Sequence, residues 1–448
     1  MPHQKPRLGL FDLTVIVISL VIGMGIFKAP SLVAAESPAP SWFFAAWIAG
    51  GIIALCGALT YAEIGSRYPV MGGYYRIFAY CYHPMVGFII NVVILVSNAI
   101  STAGVALIGA EYLVHAFFPV HLQTAFVQQV VAICSIIIFF IVNMTGLRMS
   151  AATQNILMGI KILMMLTLLS SLFIPVPQRP APVSTSASFS VLQQLRMFGA
   201  ALIAVTFTYE GYQQTINFGA EVNRPGRTMP RGIVLAMAII LPLYLLMNWA
   251  YVRVIGFDQL PHTQAIAARL AGTLFGHAAD QLFSLLLFIS VLGYVNVSLL
   301  SNPRVVFAMS EDGILPAIFK RRQAEKQILF PALLLFTMIC VGALFASNQF
   351  SVLLNYTIFL DCMGMASSAA TIFILRKRIQ VNPKEQYVMK GYPWIPALFI
   401  LAYVAIAISI AMEDIYTVWF SVLLSLVCGG IYLILKMLTR RKQISNQA

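Results

Sequence analysis

The sequence predicts an all-α membrane protein of about twelve transmembrane helices, arranged as two inverted five-helix repeats followed by two further helices. Three observations carry this reading. Of the 448 residues, 60% are hydrophobic and only 10% are charged, and the mean hydropathy is +0.86. A soluble chain carries about 25% charged residues, because so much of its surface meets water. The apolar residues fall into runs long enough to cross a bilayer, for which a helix needs about 20 residues. Finally, the first run in each of two sets of five is interrupted by glycine at a similar depth. Composition alone excludes a soluble enzyme, a disordered chain and a disulfide-knit secreted module.

In order, the predicted spans are 9–35, 42–66, 83–117, 126–143, 150–174, 196–220, 231–255, 277–309, 331–347, 350–376, 396–412 and 414–437. The first follows Lys5 and Arg7 and superficially resembles a secretion signal. It is too long for one, and it carries Gly23-Met24-Gly25 in its middle. The third and eighth exceed the usual length and are expected to tilt or protrude. The sixth is broken at Glu210-Gly211. An odd number of spans per unit inverts the second unit, and a broken helix opening each of two inverted units is the pattern of a secondary transporter. The units are 9–174 and 196–376, followed by two helices over 396–437 and a basic tail, 438–448, read as a membrane-surface anchor. Residues 175–190 read as a Pro/Ser-rich external linker, and 258–276, with Pro261 and His262, as an outer loop that caps the site.

The chain has 28 Lys+Arg against 15 Asp+Glu, a net charge of +13. Of the cations, 22 lie in the N-terminal segment, the even-numbered loops and the C-terminal segment; four lie in or beside the intervening loops, and Lys28 and Lys161 lie within spans. This asymmetry predicts that both termini are cytoplasmic in the cell membrane. The excess is a matter of topology, so no nucleic-acid partner is expected. The six cysteines sit in or beside apolar runs without C-x-x-C spacing, and read as small buried residues. No metal and no cofactor is expected.

A helix broken in mid-membrane leaves N–H groups unpaired on one half and C=O groups on the other. The N–H groups at Gly23, Met24, Gly25 and Ile26 would attract a carboxylate. Carbonyls near Val21, Ile22, Phe207 and Thr208 would accept from an ammonium. The two ends together suit the α-amino and α-carboxyl groups of an amino acid. Ionisable residues in hydrocarbon cost about 2.5–3.5 kcal/mol even on gentle scales, which singles out Lys28, Lys161, Glu210 and Asp361. Lys161 lies eleven residues into its span, about 16 Å deep, too far to snorkel. Glu63, Arg67, Glu221, Arg224, Arg227 and Arg231 lie at helix ends, as a structural ion-pair network or as a gate.

Gly23-Met24-Gly25-Ile26-Phe27 with Pro30 is similar to the G-S-G-I-F motif in the first helix of the amino acid–polyamine–organocation (APC) superfamily, with Met24 in place of the serine and its hydroxyl. Tyr61-Ala62-Glu63-Ile64 with Pro69, Gly72-Gly73 and Tyr74 resembles the end of its second helix. Phe207-Thr208-Tyr209-Glu210-Gly211-Tyr212 with Glu221-Val222, Pro225, Arg227 and Met229-Pro230-Arg231 resembles its sixth helix and exit. Gly293, Asn296, Arg304, Asp312-Gly313 and Leu315-Pro316 resemble the eighth, and Gly391-Tyr392-Pro393-Trp394-Ile395-Pro396 the approach to the eleventh. The branch most similar is that of L-type and bacterial amino acid permeases.

The resemblance implies the LeuT-like fold, with a site between helices 1, 3, 6, 8 and 10. Phe207 matches the aromatic that closes over substrate, ordinary packing being the alternative. Lys161 resembles the fifth-helix lysine whose ammonium stands where sodium sits in sodium-coupled relatives, with Asn296 or Ser298 as its partner on helix eight. Lys28 pairs with Asp361 as an outer gate, with Glu210, or with an acidic substrate side chain. The implied function is sodium-independent secondary transport of neutral amino acids by alternating access, through proton symport or exchange. The alternatives are a cationic amino acid or polyamine, or a transporter-derived sensor. No residue cluster has the spacing of an enzyme's nucleophile and base, and 67–83 lacks the charged glycine-rich loop of major-facilitator proteins. Eukaryotic L-type relatives use a cysteine in the third-to-fourth span loop to bind a partner glycoprotein. Residues 118–125 contain none, so no disulfide-linked heavy subunit is expected and the protein acts as a monomer or homodimer.

Overall fold

The computed structural model describes residues 8–23, 25–173, 190–263, 266–323, 328–346, 350–413 and 415–445. Among these residues the chain is built from helices, with only three isolated bridges and no strand. The first predicted span is two helices, α1 (Leu10–Val21) and α2 (Gly25–Ala35). There follow α3 (Pro40–Arg67), the short α4 (Gly73–Cys81), α5 (Pro84–Phe117), α6 (Ala125–Met144) and α7 (Leu147–Leu169). The second set comprises α8 (Val191–Tyr209), α9 (Pro225–Val254), α10 (Ile266–Phe275), α11 (His277–Ser301), α12 (Pro303–Glu311), α13 (Phe330–Ala346) and α14 (Phe350–Arg378), and α15 (Trp394–Glu413) and α16 (Ile415–Ser445) close the chain. Each of the twelve predicted segments therefore holds helix. Nine are long and apolar enough to cross a membrane among the described residues, and α13 and α16 add shorter apolar stretches.

Local chemistry explains most boundaries. Pro40, Pro84, Pro225 and Pro303 open their helices at positions where an absent N–H costs nothing. His83 Nδ1 accepts from Met85 N at 3.1 Å, Thr124 Oγ1 from Val127 N at 3.3 Å and Ser190 Oγ from Gln193 N at 3.2 Å, capping α5, α6 and α8.

The structure differs from the sequence reading at four places. The predicted eighth span splits into α11 and α12, because Pro303 cannot continue the helix behind it. The sixth span ends as α-helix at Tyr209; past Gly211 the chain runs as 3₁₀ turns, Tyr212–Asn217 and Gly219–Glu221. Residues 258–276 hold a 3₁₀ turn, Phe257–His262, and α10. Both pack on α2, and no described residue of either lines the central cavity, so the segment read as a loop is largely helical and lies against an outer half-helix. Cys134 is exposed on α6, unlike the other five cysteines. The proposed linker 175–190 lies outside the described residues except for Ser190, the cap of α8.

The packing brings the broken helices to the centre. α1 lies against α7 and α9, α2 against α8, and α5 runs along α11. Behind the breaks, Trp47 meets Tyr209 and Tyr244 edge-on at centroid distances of 5.9 and 6.1 Å, and the two tyrosines are 5.1 Å apart. These fully buried rings form a stiff wall.

Candidate functional site

The interruptions at 22–24 and 210–211 face each other, and glycine is what permits it. Gly211 has φ +123°, and a Cβ there would fall 2.3 Å from Leu20 O. Gly25 is equally constrained: a Cβ would stand 2.9 Å from Thr208 Cα. The backbones of both half-helix pairs thus touch. At the C-terminal ends of α1 and α8, the Tyr244 hydroxyl reaches Val21 O at 3.1 Å and Thr208 O at 3.4 Å. Lys161 is buried, and its Nζ donates to Ile22 O. The N–H groups of α2's first turn, Gly25 to Phe27, have no preceding helical carbonyl to bond.

Between the breaks and α5, α11, α12 and α14 lies a cavity of about 440 Å³. Val21, Gly23, Gly25, Lys28, Phe207, Thr208, Glu210 and Asp361 all line it. Among the described lining residues Lys28 is the only lysine or arginine. Asp361 accepts from Ser97 Oγ at 3.0 Å, and Glu210 accepts from the Tyr403 hydroxyl at 3.1 Å. Ile26 is fully buried and contributes only its backbone position. Met24 lies outside the described residues.

Asn296 does not line the cavity. Its Nδ2 donates to Gln154 Oε1 at 2.7 Å and Ser150 O at 3.2 Å, while its Oδ1 accepts from Asn143 Nδ2 at 2.9 Å. Ser298, the other partner suggested for Lys161, bonds Thr102 at 2.6 Å. On α11 it is Gly293 that adjoins the ammonium, its Cβ position lying 3.8 Å from Lys161 Nζ, an ordinary contact.

Two groups of residues escaped the sequence reading. Tyr244 is one. The other is a polar stripe on α5: Asn98 donates to Asn302 Oδ1 at 2.7 Å and accepts from Gln214 Nε2 at 3.2 Å, and Ser101 bonds the Tyr294 hydroxyl at 3.2 Å. The spacing Asn91, Asn98, Ser101 along one helical face was the available signal.

The cavity is closed toward the face bearing the basic loops. Tyr74 lines its floor, and its hydroxyl donates to Tyr61 OH at 3.3 Å; Tyr61 OH in turn pairs with Ser368 Oγ. Below lies Glu63, wholly buried, accepting from Arg67 Nε at 2.6 Å, from Arg376 Nε and Nη2 at 2.8 and 2.7 Å, and from Met389 N at 2.8 Å. Arg304 Nε donates to Glu221 at 2.7 Å beside it. Arg224 and Arg231 are exposed at the rim, and Arg227 reaches Lys384 O at 2.7 Å. At the opposite end the walls include the exposed Lys28, Leu32, Ala35 and Glu36. The cavity is open there.

The profile of a family described as amino acid permease matches residues 8–432. The serine/threonine exchanger SteT of Bacillus subtilis (strain 168) is 27% identical over 437 residues, covering 96% of this chain and 96% of its own. The large neutral amino acids transporter small subunit 2 of Mus musculus is 24% identical over 400 residues, 88% of this chain and 75% of that one. The Asc-type amino acid transporter 1 of Mus musculus is 23% identical over 384 residues, 84% of this chain and 71% of its own.

Proposed function

The chain belongs to the amino acid permease family, whose members are transporters and not enzymes, and from that premise we propose that it exchanges small neutral amino acids across the cell membrane by alternating access, without sodium. The observation that carries this reading is the meeting of the two broken helices on one cavity. α2's first turn presents unpaired N–H groups to a carboxylate, and the ends of α1 and α8 present carbonyls to an ammonium. Residues 9–174 and 196–376 serve as the inverted repeats. Lys161, bonded to Ile22 O, supplies the cation that a sodium ion would otherwise bring to the first helix. Exchange is favoured over proton symport by the similarity to a bacterial serine/threonine exchanger over 96% of both chains.

The positive-inside asymmetry supports cytoplasmic termini and a cytoplasmic closed face, with the cavity opening outward. The protein acts as a monomer or homodimer without a disulfide-linked second chain. One observation favours a second reading, transport of a cationic amino acid: Glu210 and Asp361 both line the cavity. Reconstitution into proteoliposomes decides between them. Vesicles preloaded with unlabelled amino acids should take up labelled serine or threonine faster than empty ones, equally with and without sodium. Preferential exchange of labelled lysine would establish the second reading. Uptake into empty vesicles driven by a pH gradient would replace exchange with proton symport.

A further inference from the structure

A second cavity, of about 700 Å³, lies on the outside of the bundle at the basic face, away from the central site. Its walls are the last residue of α6, Met144, the loop after α12, and one side of α13 through Phe330, Leu334 and Met338. Three of these apolar walls are open to the surroundings: Ile318 is 50% exposed, Phe330 45% and Met338 64%. The cavity's other rim is cationic, with Arg321 and Arg322 on it and Lys320 adjoining. Gln323 N donates to Ile328 O at 3.0 Å and pins this rim against the start of α13.

Among the described residues the nearby carboxylates are engaged, and the stretch 320–327 carries four cations against the single carboxylate of Glu325. Glu311 and Asp312 pair with Arg76, and Glu221 accepts from Arg304 at 2.7 Å, with Arg322 4.0 Å away on its other oxygen. The rim therefore carries surplus positive charge directly above an apolar groove that runs along a membrane helix. An aqueous anion would use the charge and leave the groove empty; an uncharged lipid would do the reverse. We propose that this groove seats one anionic phospholipid, its phosphate held by Arg321 and Arg322 and an acyl chain lying along α13 between Met144 and Met338. Because Arg322 also approaches Glu221, the lipid bears on the Glu221–Arg304 contact that helps close the basic face, so transport should depend on it.

The test uses the full-length protein, delipidated in detergent and titrated with phosphatidylglycerol or phosphatidylcholine. Native mass spectrometry counts the bound lipid, and thermal unfolding reports the same binding. One phosphatidylglycerol should bind in preference to phosphatidylcholine, and inorganic phosphate at matched concentration should not reproduce the stabilisation. Arg321→Gln, at an exposed position, should weaken that binding about five-fold, the value expected for one cation at a charged lipid surface. Met338→Trp, which fills the groove without touching the charges, should weaken it as well. Exchange in phosphatidylcholine vesicles should rise on adding phosphatidylglycerol, less so for either variant. Equal binding of the two lipids, or preference for phosphatidylglycerol unchanged in Arg321→Gln, would overturn the proposal.

Discussion

Gly25 and Thr208, 183 positions apart in the chain, are in backbone contact: a Cβ on the glycine would lie 2.9 Å from Thr208 Cα and 2.8 Å from its Cγ2. The neighbour is partly main chain and cannot swing aside. Gly25→Ala should therefore separate α2 from α8 and spread the two half-helix ends. Overpacking of this kind typically costs about 1–3 kcal/mol, so the variant should remain folded but lose most uptake. Gly159→Ala, with nothing within 4 Å of the added methyl, is the control and should transport normally. Uptake and melting temperature of both proteins check this.

Lys161 and Tyr244 hold the end of α1 from two sides, through Ile22 O and Val21 O. Hydrogen bonds involving charged groups contribute about 1.5–3 kcal/mol, so Lys161→Ala should lower exchange by about ten-fold or more. Tyr244→Phe keeps the ring packing and removes only the hydroxyl, worth about 1 kcal/mol, and should slow exchange several-fold. Wild-type rates in the lysine variant would remove its role in organising the first helix.

How much of this site was legible in the sequence follows from which partners were needed to see it. The breaks announced themselves because Gly23, Gly25 and Gly211 interrupt apolar runs in a place where backbone must otherwise satisfy itself. Lys161 was legible for the same reason, as a charge too deep to reach water. Its partner was only half legible: the carbonyl of Ile22 follows from the break, but Asn296 belongs to a separate network with Asn143 and Gln154. Tyr244 could not be found, since a tyrosine in an apolar span is unremarkable and the carbonyls it reaches lie 223 and 36 residues away. The loss of α-helix after Gly211 depends on how Tyr212–Asn217 packs against α1, α3 and α4, which no local pattern records.

Phe207 is half-buried and lines the cavity, beside the end of α8. If it closes over substrate, Phe207→Ala removes a contact worth about 1.5–3 kcal/mol of apolar burial. Half-saturation for exchange should then rise by about ten-fold or more, with Phe207→Trp partly tolerated. An alanine variant with unaltered kinetics would mean that the ring is packing alone.

Glu63 ties α3 to α14 and to the segment before α15 through Arg67, Arg376 and Met389 N, with Arg376 also stacked 3.9 Å over the Tyr392 ring. Removing one partner of a buried ion pair costs about 3–5 kcal/mol. Arg67 remains to hold the carboxylate, so Arg376→Ala should fall at the low end of that range. It should lower the melting temperature and open the basic face. A cysteine at Tyr74 would report the opening by faster labelling from that side in the Arg376→Ala background. Arg376→Lys keeps the charge but cannot make the two-point grip, and should fall between the two.

Lys28, Asp361 and Glu210 share the walls of one cavity, and the proposed outer gate depends on which of the two acids the lysine meets. Two carboxylates facing a space of low polarity call for a cation. The two acids are not equivalent, however. Glu210 is tied by the Tyr403 hydroxyl to α15, a helix that also packs on α3, whereas Asp361 bonds Ser97 between α14 and α5. Lys28 stands three residues beyond Gly25, about 4.5 Å along α2 toward the open end. If α2 swings across the opening to shut it, its lysine should meet Asp361, whose side chain is held by a single serine hydroxyl of α5. Either Lys28→Asp or Asp361→Lys alone should then abolish exchange by placing like charges together. The double swap should recover part of it, by about 1 kcal/mol or more of coupling, as charge pairs in contact show. Recovery in the Lys28/Glu210 swap instead would move the closing contact to α8. If neither swap recovers and Lys28→Asp changes which substrates are exchanged, the lysine touches the substrate side chain directly.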